Sequence, residues 1–228
     1  MAARRIGSRG DGYAGYRERL VEQLRAGGIE NLAVLRAFAE IPRHLFVPEG
    51  LRARAYEDVA LPIGWGQTIS QPSTQARYLE ALELRGDEKV LEVGTGSGYQ
   101  TALLGFLAAQ VFSIERVPEL AATARSALRA AGLENVTVLV GDGTLGWRPY
   151  APYQAILVAA AAPQVPKPLL EQLDEGGRLV MALMGNSGQE LIRIRREGRS
   201  TRVERLGTAN FLPLVGRYGA PLPEGENR

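Results

Sequence analysis

Residues Val90-Leu91-Glu92-Val93-Gly94-Thr95-Gly96-Ser97-Gly98 carry the strongest chemical signal in the chain. An apolar run that turns into three alternating glycines hands a strand over to a loop whose backbone can close on a ligand. A second apolar run, Val111-Phe112-Ser113-Ile114, ends at Glu115, 21 residues beyond the first glycine. At that distance in a strand-helix-strand unit a carboxylate accepts hydrogen bonds from ribose hydroxyls, so the two features together predict a bound adenosine. The glycine spacing narrows the choice. A dinucleotide loop reads G-x-G-x-x-G and faces a pyrophosphate; here the third glycine comes one residue early, and Tyr99 stands where that motif needs close helix-strand packing. A G-x-x-x-x-G-K-[ST] phosphate loop is absent, and the only lysines, Lys89 and Lys167, are not placed to serve one. The blander alternative is a tight strand-to-helix turn with no ligand, against which Glu115 argues.

The elements that must hold these residues alternate. Strands are expected near 89–94, 111–115, 137–141, 154–159 and 177–183, with helices near 98–108, 118–131 and 165–174, which implies an α/β fold with a mostly parallel, doubly wound sheet. Apolar runs near 190–196, 202–206 and 210–215 follow without helices, so the sheet should finish with antiparallel strands. Ahead of it lies a helical extension. Residues 14–26 put Leu20, Val21 and Leu24 on one face and stop at Gly27-Gly28, and Asn31 can cap a second helix carrying Leu32, Leu35 and Phe38 up to Pro42. The stretch Pro42–Ser70 lacks regular periodicity and is long enough to be functional. A helix over 73–84 leads into the first core strand.

Ligand crevices in such sheets open at the carboxyl ends of the strands. Four loops qualify: Gly94–Gly98, Glu115 with Arg116, Gly141-Asp142-Gly143-Thr144, and Ala159–Pro163. Asp142, between two glycines, can accept a hydrogen bond from an adenine amino group, or it can be an ordinary turn aspartate satisfying its own backbone.

Composition bounds the remainder. With 228 residues and 45% hydrophobic content, one substantial domain is expected: loosely ordered ends at 1–12 and 218–228, and a single unit over 13–217, divided into 13–84, 85–185 and 186–217. Lys and Arg total 27 against 25 Asp and Glu, and the basic residues are scattered, so no nucleic-acid stripe is evident. The absence of cysteine rules out a disulfide framework, a thiolate nucleophile and a cysteine zinc site. No metal site is expected. No stretch is expected to span a bilayer and no signal peptide is evident, so a cytoplasmic, monomeric protein is the expectation.

Beyond the glycine loop, the segments Pro42-Arg43-His44-Leu45-Phe46-Val47-Pro48, Ala55-Tyr56-Glu57-Asp58 and Leu61-Pro62-Ile63-Gly64-Trp65-Gly66-Gln67-Thr68-Ile69-Ser70-Gln71-Pro72 form a specific series. It resembles the signature of the protein L-isoaspartyl O-methyltransferase family, and the loop itself resembles the S-adenosylmethionine loop of Rossmann-like methyltransferases. The likeness runs over residues 15–217. It implies methyl transfer from S-adenosylmethionine to the free carboxylate of L-isoaspartyl residues in damaged proteins and peptides. Such a carboxylate is already ionised at neutral pH, so no general base is needed, and the sole histidine, His44, reads as structural. Alignment and dehydration should lower the barrier.

By the same resemblance Ser70 is the catalytic residue, its hydroxyl orienting the nucleophile; its place before Pro72 equally suits a helix cap. Gln67, Thr68, Ile69, Ser70, Gln75, Glu92, Gly94, Thr95, Gly96, Ser97, Gly98, Glu115, Arg116, Asp142 and Gly143 are the implied cofactor contacts. Glu92 would hold the polar end of the loop or the cofactor's amino group, or only accept backbone N–H groups. Ile63, Gly64, Ser70, Leu212, Pro213 and Leu214 are the implied substrate contacts. Two departures from the family pattern stand out: Gln75 where a cofactor-facing histidine is common, and Ala159 where a threonine is frequent. The rivals are a methyltransferase of the same fold acting on a small molecule or nucleic acid, and a non-catalytic module that binds the cofactor.

Overall fold

The computed structural model describes residues 12–186 and 188–220. The expectation of loosely ordered ends therefore lies outside the described residues, apart from Gly12 and residues 218–220. The helical extension forms α1 (Ala14–Ala26) and α2 (Leu32–Glu40). Asn31 caps α2, its side-chain oxygen accepting from the amides of Ala33 and Val34 at 2.9 and 3.2 Å. Leu32 departs from the expected apolar face and is 73% exposed. The buried arc of α2 is Val34, Leu35, Ala37 and Phe38, and at 3.6 residues per turn Leu32 falls across the helix from its centre.

The stretch read as irregular contains more structure than its sequence suggests. Two 3₁₀ turns, Arg43–Phe46 and Glu49–Arg54, precede a hairpin of β1 (Leu61–Gly64) and β2 (Gln67–Ile69). Its turn places Trp65 and Gly66 at φ +49° and +65°, the mirror-image conformation whose twist suits paired strands. Helix α3 (Pro72–Leu82) follows directly, with Pro72 in the first turn, where its missing N–H costs nothing.

The core then runs β3 (Lys89–Val93), α4 (Tyr99–Leu107), β4 (Gln110–Glu115), α5 (Pro118–Ala130), β5 (Val136–Val140), β6 (Tyr153–Ala162), α6 (Lys167–Glu171), β7 (Leu173–Gly185), β8 (Gly188–Glu197) and β9 (Ser200–Ala209). The sheet order is β5-β4-β3-β6-β7-β8-β9. The first five strands in that order are parallel, and β8 and β9 join antiparallel. Successive residues of a strand face opposite sides. Val90 and Val111 accordingly join the α1–α5 side of the core, while Leu91, Val93 and Phe112 join the other.

Two expectations need correction. Helix α6 spans only Lys167–Glu171 instead of 165–174, because Leu173 already pairs with Tyr153 as the start of β7. The run 210–215 is not a further antiparallel strand. It lies beside the end of β6 through a single parallel bridge at Pro213, with the Ala161 amide donating to Leu212 and the Leu214 amide donating to Ala161. Pro213 has no N–H to extend a ladder.

Candidate active site

A cleft of about 380 Å³ opens over the carboxyl ends of β3, β4 and β6. Its floor is Gly94–Ser97, Glu115, Arg116, Gly143, Ala159 and Ala160; one wall is Gln67–Gln71 with Thr74, Gln75, Arg77 and Tyr78 from α3; the other is the segment Thr208–Val215.

The glycine loop is held from beneath by carboxylates. Glu115, at the end of β4, accepts the Gly96 amide at 2.8 Å on one oxygen and the Val117 amide at 2.9 Å on the other. Gly94 and Gly96, at φ +95° and +52°, make the turn that brings the Gly96 amide to that carboxylate. Glu92 has a different place. Parallel register sets it opposite Ser113, and strand alternation turns both under α4, away from the cleft wall. One Glu92 oxygen accepts from the hydroxyls of Thr101 and Ser113, each at 2.5 Å, and Thr95 donates to Ser113 in turn. Glu92 thus holds the polar underside of the loop. Burial pushes its carboxyl up to about 7, against the lowering effect of the Ser113 and Thr101 bonds and with a further push from the Glu115 charge.

Several other expected residues lie off the cleft. Gly98 begins α4 against α5, where an added Cβ would meet that of Ala124 at 3.1 Å. Asp142 accepts the amide and hydroxyl of Thr144 at 2.9 and 2.6 Å on one oxygen and the Arg217 amide at 2.8 Å on the other. It is a turn aspartate that also clasps the C-terminal segment, while its neighbour Gly143 faces the cleft. Ile63 packs toward Gly96 from the hairpin, and Gly64 is exposed. His44 is buried outside the cleft wall, stacked on Tyr13 with centroids 4.1 Å apart and bonded to the Tyr56 hydroxyl at 2.8 Å.

Ser70 lies on the cleft wall and does not cap α3. The residue at the cap is Gln71, which makes no side-chain capping bond, and the first-turn amide of Ser73 donates instead to Asp58 at 2.8 Å. The Ser70 carbonyl accepts from Arg43 at 2.9 Å.

Sequence reasoning missed Gln100, Tyr78 and Arg77, and it assigned no role to Arg43. Among the described residues, both amide atoms of Gln100 and the hydroxyl of Tyr78 are buried without a protein partner, on side chains that line the cleft. Unpaired polar atoms of this kind are costly unless a ligand meets them. Tyr78 stacks on Phe211 at 4.7 Å, Arg77 donates to the carbonyls of Leu206 and Thr208, and the Gln189 amide clasps the Phe211 backbone at 2.7 and 2.9 Å. The one available signal was Arg43 itself, a charge embedded in an apolar, proline-bounded run.

A glycine loop over the carboxyl end of β3, an acid closing β4, and a parallel sheet finished by an antiparallel pair define an S-adenosylmethionine-dependent methyltransferase of Rossmann-like fold. The profile of the protein-L-isoaspartate(D-aspartate) O-methyltransferase family matches residues 10–219, and the chain belongs to that family. The protein-L-isoaspartate O-methyltransferase of Dictyoglomus thermophilum is 50% identical over 207 residues, covering 91% of this chain and 94% of its own. That of Methanoculleus marisnigri is 53% identical over 205 residues, covering 89% and 93%. A solved protein-L-isoaspartate O-methyltransferase superposes with a TM-score of 0.82 at 28% identity, over 89% of this chain and 67% of that one. A Plasmodium falciparum structure described as a putative enzyme of this kind, in complex with S-adenosyl-L-homocysteine, shares the fold with a TM-score of 0.78 at 22% identity, over 87% of this chain and 98% of its own.

Proposed function

We propose that this protein L-isoaspartate O-methyltransferase holds S-adenosylmethionine along its glycine loop and sets the isoaspartyl carboxylate between Ser70 and the segment Phe211–Leu214. The reaction moves the methyl of the donor's sulfonium to a carboxylate oxygen, which begins repair of the damaged residue. The observation that carries the assignment of roles is the convergence of Ser70, the Glu115-pinned loop and the C-terminal segment on one cleft. The residues present suit the donor: the unpaired Gln100 amide supplies both N–H and C=O to a group bearing ammonium and carboxylate, and Glu115 retains lone pairs for ribose hydroxyls.

Gly94, Thr95, Gly96, Ser97, Arg116 and Gly143 line the donor's side; Gln67, Thr68, Ile69 and Gln75 close over it. Gly98 and Glu92 act beneath the loop, and Asp142 acts through the turn that positions Gly143. Leu212, Pro213 and Leu214 meet the acceptor, with Ile63 and Gly64 shaping the approach from the hairpin. The segment 210–215 is fastened by backbone and Gln189 bonds, so it can offer main-chain groups to peptides of varied sequence. Since the acceptor is already an anion, the chain's tasks are to align it and exclude water. We take residues 13–217 as one working unit, acting as a cytoplasmic monomer on isoaspartyl proteins and peptides with no nucleic-acid role. No helix among the described residues is long and apolar enough to cross a membrane.

The test pairs peptides that differ only in aspartyl or isoaspartyl linkage, incubated with methyl-labelled S-adenosylmethionine. Base-labile label confined to the isoaspartyl peptide is expected, and label on neither would overturn the reading. A second measurement addresses Glu115. Both its oxygens accept a backbone N–H, and Glu115→Gln replaces the charged acceptor left for the ribose hydroxyls by a neutral amide, a loss of about 2 kcal/mol that falls on the bound state. S-adenosylhomocysteine affinity by calorimetry is expected to fall about 30-fold; unchanged affinity would remove Glu115 from the donor site.

A further inference from the structure

Arg43 is the largest fully buried side chain among the described residues, at 0% exposure. Its guanidinium donates to the Ala55 carbonyl at 2.7 Å, to Gln75 Oε1 at 2.8 Å and to the Ser70 carbonyl at 2.9 Å, and it lies 4.8 Å from the centre of the Tyr99 ring. These partners come from the turn after the second 3₁₀ segment, from α3, from the residue preceding its cap, and from α4. All three hydrogen-bond acceptors are neutral. Burial lowers the Arg43 pKa to about 10, which still leaves it charged at neutral pH.

A guanidinium has donors only, so the Gln75 atom facing Arg43 has to be the amide oxygen and the NH₂ has to face the other way. Gln75 is 4% exposed and lines the cleft, and among the described residues its Nε2 makes no hydrogen bond. A donor pair backed by a buried cation favours an anion in front of it. We infer that Arg43 is a positioning residue that locks the Gln75 amide with its N–H groups toward the cleft, as donors to a carboxylate held there, while the same guanidinium fixes the backbone of Ser70. This rests on the reading of the cleft as the methyltransferase site. Two carboxylates share the required chemistry: the isoaspartyl acceptor and the methionine part of the donor.

Gln75→Glu separates the lock from mere packing. Glutamate keeps an oxygen for Arg43, now as an ion pair, but replaces the cleft-facing donors with an acceptor. The melting temperature is expected to be no lower than that of the parent, with a loss of about tenfold in function. A fall in kcat/KM for the isoaspartyl peptide with S-adenosylhomocysteine affinity unchanged assigns the acceptor's carboxylate. Weaker S-adenosylhomocysteine binding by calorimetry assigns the methionine carboxylate, and a fall in both assigns contact with each. Less than a threefold change in both measurements overturns the inference, as does a lowered melting temperature, since Arg43 would then not face that oxygen. Arg43→Lys supplies a second arm: if it acts through Gln75, its effect on the affected quantity is smaller in the Gln75→Glu background than alone, and equal effects overturn the coupling. The parent enzyme is measured alongside. A parent that neither methylates the isoaspartyl peptide nor binds S-adenosylhomocysteine defeats the functional reading itself, whereas an active parent matched by Gln75→Glu defeats only the lock.

Discussion

Ser70→Ala is expected to lower kcat for an isoaspartyl peptide about 100-fold, with S-adenosylhomocysteine affinity changed less than threefold. The magnitude is that of removing one preorganised hydrogen-bonding group from a site where charge is redistributed. The carboxylate enters as a full anion and leaves as a neutral ester, so a hydroxyl that fixes which oxygen faces the methyl acts on alignment more than on binding. The local structure makes the experiment clean. Ser70 is not at the cap of α3, and the helix start is satisfied by Asp58 and Pro72 instead. Its anchorage is through its backbone carbonyl, which alanine retains. Stability should therefore stay within about 0.5 kcal/mol. Steady-state kinetics, calorimetry and a melting curve on one preparation decide the matter; a kcat within threefold of the parent would leave Ser70 as part of the wall only.

The parts of this site that were legible in sequence are those whose physics is local. Three glycines and a strand-ending acid are contiguous or separated by one strand-helix-strand unit, so their spacing alone placed Gly94, Gly96 and Glu115 together. The mostly parallel sheet with its antiparallel finish followed from alternating apolar runs, its strand order did not, and Asn31 announced its helix by residue type. What stayed hidden is carried by side chains that meet across long separations. Arg43 reaches residues 27 and 32 positions away, and Asp142 is engaged by a backbone amide 75 residues further on, which no local pattern encodes. Glu92 shows the intermediate case. Its presence in the motif was evident, but which face it occupies depends on the pleat of β3 and its register with β4. The run 210–215 misled for a related reason: its apolar content suits a strand, while Pro213 and its docking beside β6 limit it to a single bridge.

The pleat also makes Glu92 a source of pH-dependent stability. Its carboxyl is fully buried, one oxygen bonded to two hydroxyls and the other without a partner among the described residues, and burial raises its folded pKa to about 7 against an ordinary 4.5. A folded state that binds the proton more tightly than the unfolded chain is favoured while the group is protonated in both. That contribution is fully present below the unfolded pKa and is lost as pH rises toward the folded pKa, after which it stays lost. Glu92→Gln keeps an oxygen for Thr101 and Ser113 but cannot ionise. The stability of the variant relative to the parent is therefore expected to rise by about 3 kcal/mol between about pH 4 and pH 8 in the absence of cofactor. Urea unfolding of both proteins across that range isolates the effect, because every other titrating group is common to the two. A difference that stays flat would mean that Glu92 ionises in the folded state as easily as in water, and the hydroxyl network under the glycine loop would then be holding an anion at neutral pH in place of a neutral acid.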